Sequence, residues 1–282
     1  MSATLLDFSQ RRELALHARI AAAVEAAAAP LGIAVLIVGA FARDLHLLYR
    51  HGIPTQRETE DIDFALAVPD WDTWDALKRK LTASGDFSES KSPQRMRYRN
   101  QLPVDLVPFG EVESKEGKIA WPPHGEVVMD VFGFKEALSS AQDVLLPGNV
   151  RTKVVSLPAL ALLKIICWQE RHRTSPRKDA HDLHLILRNY LDAGNTERLW
   201  EEFIGWTQDE AFEYELAGAR MLGHDVRLLL DDNGIRRVSE ILLHETQSSP
   251  TILPNQMNPD DPNRAETLLA AMFRGLGESS HK

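Results

Sequence analysis

The chain has 282 residues, 44% hydrophobic and 26% charged, a balance that excludes disorder, collagen-like repeats and a disulfide scaffold. Its 32 basic and 41 acidic residues leave a net charge of -9, which argues against a nucleic-acid or anionic-membrane surface all round but allows local basic patches. This length accommodates one large domain or two modest ones.

The N-terminal stretch Arg11 to Ala29 is alanine-rich and predicts one helix, stopped by Pro30. Its charges, among them Arg11, Arg12, Glu13, Arg19 and Glu25, read as neither a signal peptide nor a membrane span, so a cytoplasmic location is expected. Ile33 to Val38 is a short branched apolar run, the pattern of a buried strand, ended by Gly39. A helical pattern follows from Ala40 to Tyr49, then a polar loop through Thr55 to Glu60. Asp61 to Val68 alternates as a second strand, and Pro69-Asp70 caps an amphipathic helix over Trp71 to Ala83. Met96 to Arg99 and Val104 to Pro108 predict short strands about a turn near Asn100. Glycines and prolines punctuate Gly110 to Leu157 into short strands and turns, with a small helix at Lys135 to Ala141. Beyond Val155 the pattern is helical: Leu157 to Glu170, Pro176 to Leu191, Asp209 to Leu230, Asn233 to His244 and Ala265 to Phe273, with a Pro-rich interruption at Pro250 to Pro262. The expected class is α/β: a small mixed sheet flanked by helices over residues 1–155, then a helical domain over 156–282. The single cysteine, Cys167, allows no intrachain disulfide or cysteine-rich zinc site and suits a reducing compartment.

Asp61 and Asp63 stand two apart in a strand, so both point to one face while Ile62 points to the other. Such a pair is either the start of a strand at solvent or a ligand set for a hard divalent ion such as magnesium. The neighbouring pattern favours the ion. Upstream, a buried strand runs through Gly39-Ala40 into a helix, the arrangement that presents backbone N–H groups to a phosphate. Downstream, Asp105 is the lone charge in the apolar strand Val104 to Val107 and supplies a third carboxylate, enough for a two-metal site.

This order of strand, glycine turn, helix, Asp-x-Asp and later strand aspartate resembles the nucleotidyltransferase superfamily that includes DNA polymerase β. Gly39-Ala40 stands where that superfamily usually has Gly-Ser or Gly-Gly, which removes a hydroxyl and keeps the backbone cradle. Arg43-Asp44 is similar to part of the signature of tRNA CCA-adding enzymes, and Arg43 either binds a phosphate or pairs with Asp44 or Glu60. In the helical half, Lys164 sits in the apolar run Leu157 to Trp168, and a lysine in such company calls for an anion. With Arg171, Arg173, Arg177 and Lys178-Asp179-Ala180-His181-Asp182-Leu183, this series resembles the AbiEii-type nucleotidyltransferases, the toxins of type IV toxin-antitoxin systems. The resemblance implies that Lys164 contacts nucleotide phosphates and that Lys178 and Asp179 share its cleft, the helical domain completing the nucleotide site. Read from spacing alone, Lys178 and Asp182 form an exposed helix pair.

Lys91, Arg95, Arg97 and Arg99 with Tyr98 read either as a phosphate-tracking patch or as a solvated edge strand. His181 and His184 match no zinc pattern and are expected at the surface. Trp71, Trp74, Trp200 and Trp206 are expected to pack. Together these readings predict a magnesium-dependent nucleotidyltransferase using a nucleoside triphosphate such as ATP or GTP. Asp61, Asp63 and Asp105 hold two ions, Gly39 and Ala40 hold the triphosphate, and Lys164 stabilises charge on it. The family resemblance implies tRNA as acceptor and a cognate antitoxin as partner, with no membrane. A small-molecule acceptor, protein AMPylation and an inactive nucleotide-binding module are the alternatives.

Overall fold

The structure is a computed structural model that describes residues 5–55, 61–175, 177–208, 210–247 and 251–278. The chain divides into two compact units, one of Met1–Leu45 with Gln56–Ser156 and one of His46–Thr55 with Leu157–Lys282. The ten residues 46–55, expected in the first domain, cluster with the second, where His51 lies against Gly194. Residues 56–60 of the expected loop, including Glu60 as a partner for Arg43, fall outside the described residues, as do Pro176, Asp209 and Pro250.

Among the described residues of the first unit, ten strands are β1 (Leu6–Asp7), β2 (Ala34–Val38), β3 (Ile62–Val68), β4 (Phe87–Glu89), β5 (Arg95–Tyr98), β6 (Leu102–Gly110), β7 (Lys118–Ala120), β8 (Val128–Asp130), β9 (Gln142–Leu146) and β10 (Val150–Val154). Eight form one mixed sheet in the order β1-β9-β10-β2-β3-β6-β5-β4, and β7 and β8 pair separately. β2 and β3 run antiparallel, β3 and β6 parallel, and β5 and β6 antiparallel. Four helices accompany them: α1 (Ala15–Ala28), α2 (Gly39–Asp44), α3 (Trp71–Ala83) and α4 (Phe134–Ser139).

The apolar runs found in the sequence form the middle of the sheet. Leu36, Ile37, Ile62, Phe64, Leu66, Val104 and Leu106 are buried, because β2, β3 and β6 have neighbours on both sides. α3 occupies the predicted 71–83 span: Asp70 accepts from the Thr73 backbone N–H at 2.7 Å, and Trp74, Leu77 and Leu81 face inward. The stretch Arg12–Leu31 has the length and mean hydropathy, 1.3, of a membrane-crossing helix, although its charges predicted otherwise. In the structure α1 turns Ala18, Ile20, Ala21, Val24 and Ala28 inward and packs on β2, β10 and α3.

β5 lies between β6 and β4, so the expected edge strand is an inner one and the edge is β4. The helix expected over 40–49 is α2 followed by a π-helical turn at Leu45–Tyr49.

The second unit holds α5 (Leu157–Arg171), α6 (Lys178–Asn189), α7 (Thr196–Glu202), α8 (Tyr214–Arg227), α9 (Asp232–Gln247), α10 (Leu253–Met257) and α11 (Pro262–Gly277). α7 and the short α10, which lies inside the Pro-rich interruption, are not evident in the periodicity, and α8 begins later than expected. α8 and α11 cross backbone to backbone. A Cβ at Gly223 would collide with the Met272 carbonyl, and one at Gly275 with the Arg220 carbonyl.

Candidate active site

β2 ends where its antiparallel neighbour β3 begins, and this places the Gly39 turn beside the Asp-x-Asp sequence. Val38 pairs with Asp63, and Asp63 in turn pairs with Asp105 across the parallel β3–β6 ladder. Alternation along β3 brings Asp61 to the face of Asp63. One carboxylate oxygen each from Asp61, Asp63 and Asp105 lies within 4.8 Å of the others, and all three residues are half-buried. Three hard oxygen donors this close fit a small divalent cation, so the cluster could hold a metal.

Gly39 adopts φ +70°, and a Cβ there would run into the Asp63 carboxylate. The glycine is therefore required by the aspartate's position as well as by the turn. Val38, the residue preceding α2, makes no side-chain cap to its first turn. Ala40 is buried in that turn. Arg43, 1% exposed, donates from Nε at 2.9 Å and from Nη2 at 2.6 Å to Asp44 Oδ1. Of the two roles open to it in the sequence, the structure forms the ion pair. A phosphate would have to open that buried pair to reach the guanidinium.

Arg95, read in the sequence only as part of a basic stretch, is a neighbour of the carboxylates whose pairing with Asp105 the sequence reading missed. Its Nε donates to Asp105 Oδ1 and its Nη2 to Asp105 Oδ2, both at 2.7 Å. Its hydrogen bonds to Asp105 push its pKa up, burial opposes this, and the charges of Asp105, Asp61 and Asp63 add to the rise. A signal for this pairing did exist: a hairpin turning at Asn100 sets Tyr98 opposite Leu102, and hence Arg95 opposite Asp105. Arg97 is exposed and Arg99 pairs with Asp86 at 2.9 Å, whereas Arg95 is bound to Asp105.

The second unit holds the other predicted residues. Lys164, on α5, is 4% exposed, and its Nζ lies 3.2 Å from Asp179 Oδ1 and 2.5 Å from Asp182 Oδ2, both on α6. Arg171, two turns along α5, donates to Asp179 Oδ2 at 2.7 Å and to Oδ1 at 2.9 Å. The anion that Lys164 requires is thus supplied by the chain itself. Asp182, expected in an exposed pair with Lys178, turns inward to Lys164 and is 2% exposed. Burial alone would push the Lys164 ammonium down, but Asp182 and Asp179 outweigh it and hold it above the ordinary lysine value. Burial likewise opposes the charge on Asp179, while Lys164 and Arg171 keep its pKa below the usual carboxylate range. Burial pushes the nearby Cys167 thiol up to about 12. His184, expected at the surface, is 9% exposed because its face of α6 is buried, whereas Trp200, expected to pack, is 49% exposed.

The family model described as "Nucleotidyl transferase AbiEii toxin, Type IV TA system" matches residues 22–271. No curated protein matches the chain. Among solved structures, a solution structure of the antibiotic-resistance factor ANT(2'')-Ia is 18% identical, with a TM-score of 0.39, over 67% of this chain and 92% of that one. A crystal structure of ANT(2")-Ia in complex with adenylyl-2"-tobramycin is 17% identical, with a TM-score of 0.39, over 67% of this chain and 98% of that one.

Proposed function

Because the chain belongs to the AbiEii nucleotidyltransferase toxin family of type IV toxin-antitoxin systems, we propose that it transfers a nucleoside monophosphate from a nucleoside triphosphate to an acceptor hydroxyl. The observation that carries this reading is the convergence of Asp61, Asp63 and Asp105 beside the Gly39 turn. Their oxygens suit magnesium, two ions once a nucleotide is present, and magnesium bound there would neutralise charge on the phosphates.

Asp61 and Asp63 hold the cation from β3 and its start, and Asp105 completes the set from β6. The first turn of α2 offers backbone N–H groups at Gly39 and Ala40 to the terminal phosphates. The acceptor hydroxyl attacks the α-phosphorus, the bond to the bridging oxygen breaks, and pyrophosphate leaves with that oxygen. Asp105 is the carboxylate assigned to the acceptor's proton. Alignment and charge neutralisation account for most of the acceleration.

The same reading assigns Lys164 to the nucleotide phosphates, with Lys178 and Asp179 in its cleft, and Arg43 to a supporting contact; Lys164 and Arg43 would each have to leave a buried ion pair to serve. From the toxin family we take tRNA as the acceptor and a cognate antitoxin as the partner, in the cytoplasm where triphosphates are available.

The test is transfer of label from α-labelled nucleoside triphosphates, with magnesium, into total RNA, protein and small-molecule fractions, by wild type and Asp63→Ala. Label in RNA that depends on Asp63 is the expected result. Label in protein or small molecules would keep the transferase and replace the acceptor. No Asp63-dependent label, together with no binding of magnesium or nucleotide, would leave only an interaction module.

A further inference from the structure

Arg95 reaches the carboxylate cluster from the strand next to Asp105 and grips both oxygens of that one carboxylate. A guanidinium in this fork commits a lone pair on each oxygen, and its charge stands where a cation's charge would otherwise be felt. Among these four side chains, three negative charges and one positive leave two negative, the charge that a single divalent ion balances. The Arg95 side chain is 37% exposed against 15% for Asp105, so solvent is open to the arginine once it leaves its partner.

We propose that Arg95 is the resting occupant of the Asp105 end of the cluster. In the nucleotide-free protein Asp61 and Asp63 hold one divalent cation, and Asp105 becomes a ligand only when Arg95 lets go. An incoming triphosphate brings the negative charge that makes the exchange favourable. It balances a second cation and offers the displaced guanidinium phosphate oxygens, which suit its planar fork as well as a carboxylate does. Arg95 thereby couples the second metal to the nucleotide and keeps the cluster from filling with metal alone. This inference rests on the metal-site reading above.

The test uses the full chain without nucleotide and counts bound Mn2+ from the loss of the free-ion electron paramagnetic resonance signal. Wild type is expected to bind one Mn2+, dependent on Asp63. Arg95→Gln, which removes the charge, is expected to bind Mn2+ about tenfold more tightly, the scale of one like charge beside a divalent ion, and to take up a second ion. Arg95→Lys keeps the charge and stays near wild type. The gain disappears in Arg95→Gln combined with Asp105→Asn. Arg95→Met takes the place of the glutamine variant should the latter not fold.

Two Mn2+ on the wild type, or no gain in the neutral variants while Asp63-dependent binding persists, would overturn the role of Arg95 and leave the metal site standing. Absence of Asp63-dependent Mn2+ binding in wild type and variants alike would overturn both.

Discussion

Gly39 shows how closely this site constrains a single residue. Its backbone is left-handed, and the Asp63 carboxylate occupies the space a side chain would take. Gly39→Ala is therefore expected to lose about 1–2 kcal/mol from the left-handed backbone alone, with more from displacing Asp63. Chemical denaturation would measure the loss, and Mn2+ binding should fall in the same variant. Lys164 is constrained by charge. It is buried against Asp179 and Asp182, and Arg171 also pairs with Asp179. Lys164→Met would leave two buried carboxylates undercompensated, and about 3–5 kcal/mol of stability should go. Lys164→Arg, which keeps the charge, should fold, so any remaining loss of transfer in that variant would belong to function. An unchanged urea midpoint for Lys164→Met would show that the cluster does not hold α5 to α6.

At the level of elements, the site depends on register. Asp63 faces Asp105 because β3 and β6 pair in parallel, and Arg95 faces Asp105 because the β5–β6 hairpin turns at Asn100. A slip of one residue on either ladder would turn a charged group to the opposite face. In the second unit, the α8–α11 crossing depends on the absence of side chains at Gly223 and Gly275, each facing a backbone carbonyl of the other helix. Backbone cannot move aside as a flexible side chain can. Gly223→Ala should cost at least the roughly 1–3 kcal/mol typical of overpacking, read as a lower thermal midpoint. A midpoint equal to wild type would mean that the helices do not approach this closely.

For the molecule as a whole, the pH dependence of stability has a distinct origin in His184. Burial, with Arg188 and His181 adding to it, lowers its pKa from 6.5 to about 4. The unfolded chain then takes up a proton that the folded chain refuses, so stability falls as pH drops from about 6.5 towards 4 and levels off below that. Asp179 acts in the same direction at lower pH: its depressed pKa contributes stability that is present above 3.8 and lost as pH falls through the folded value. Urea midpoints between pH 8 and 4 should show the wild-type decline, to which His17 and His51, also lowered by burial, contribute, and His184→Gln should reduce it. A decline of equal size in that variant would assign it to other groups.

The sequence by itself determined the central strands and most of the long helices, and it pointed to the three carboxylates. Two-residue alternation sets Asp61 and Asp63 on one face, a branched apolar run ending at glycine marks β2 and its turn, and Asp70 caps α3; each is a local rule that neighbouring residues satisfy. Only the tertiary structure decided which charges meet. Lys164 finds Asp182, and Arg171 grips Asp179, because α5 and α6 pack together. Gly39 is pinned because β2 ends beside Asp63. A charged side chain's partner is set by strand pairing and helix packing between residues distant in the chain, and periodicity carries no record of those pairings.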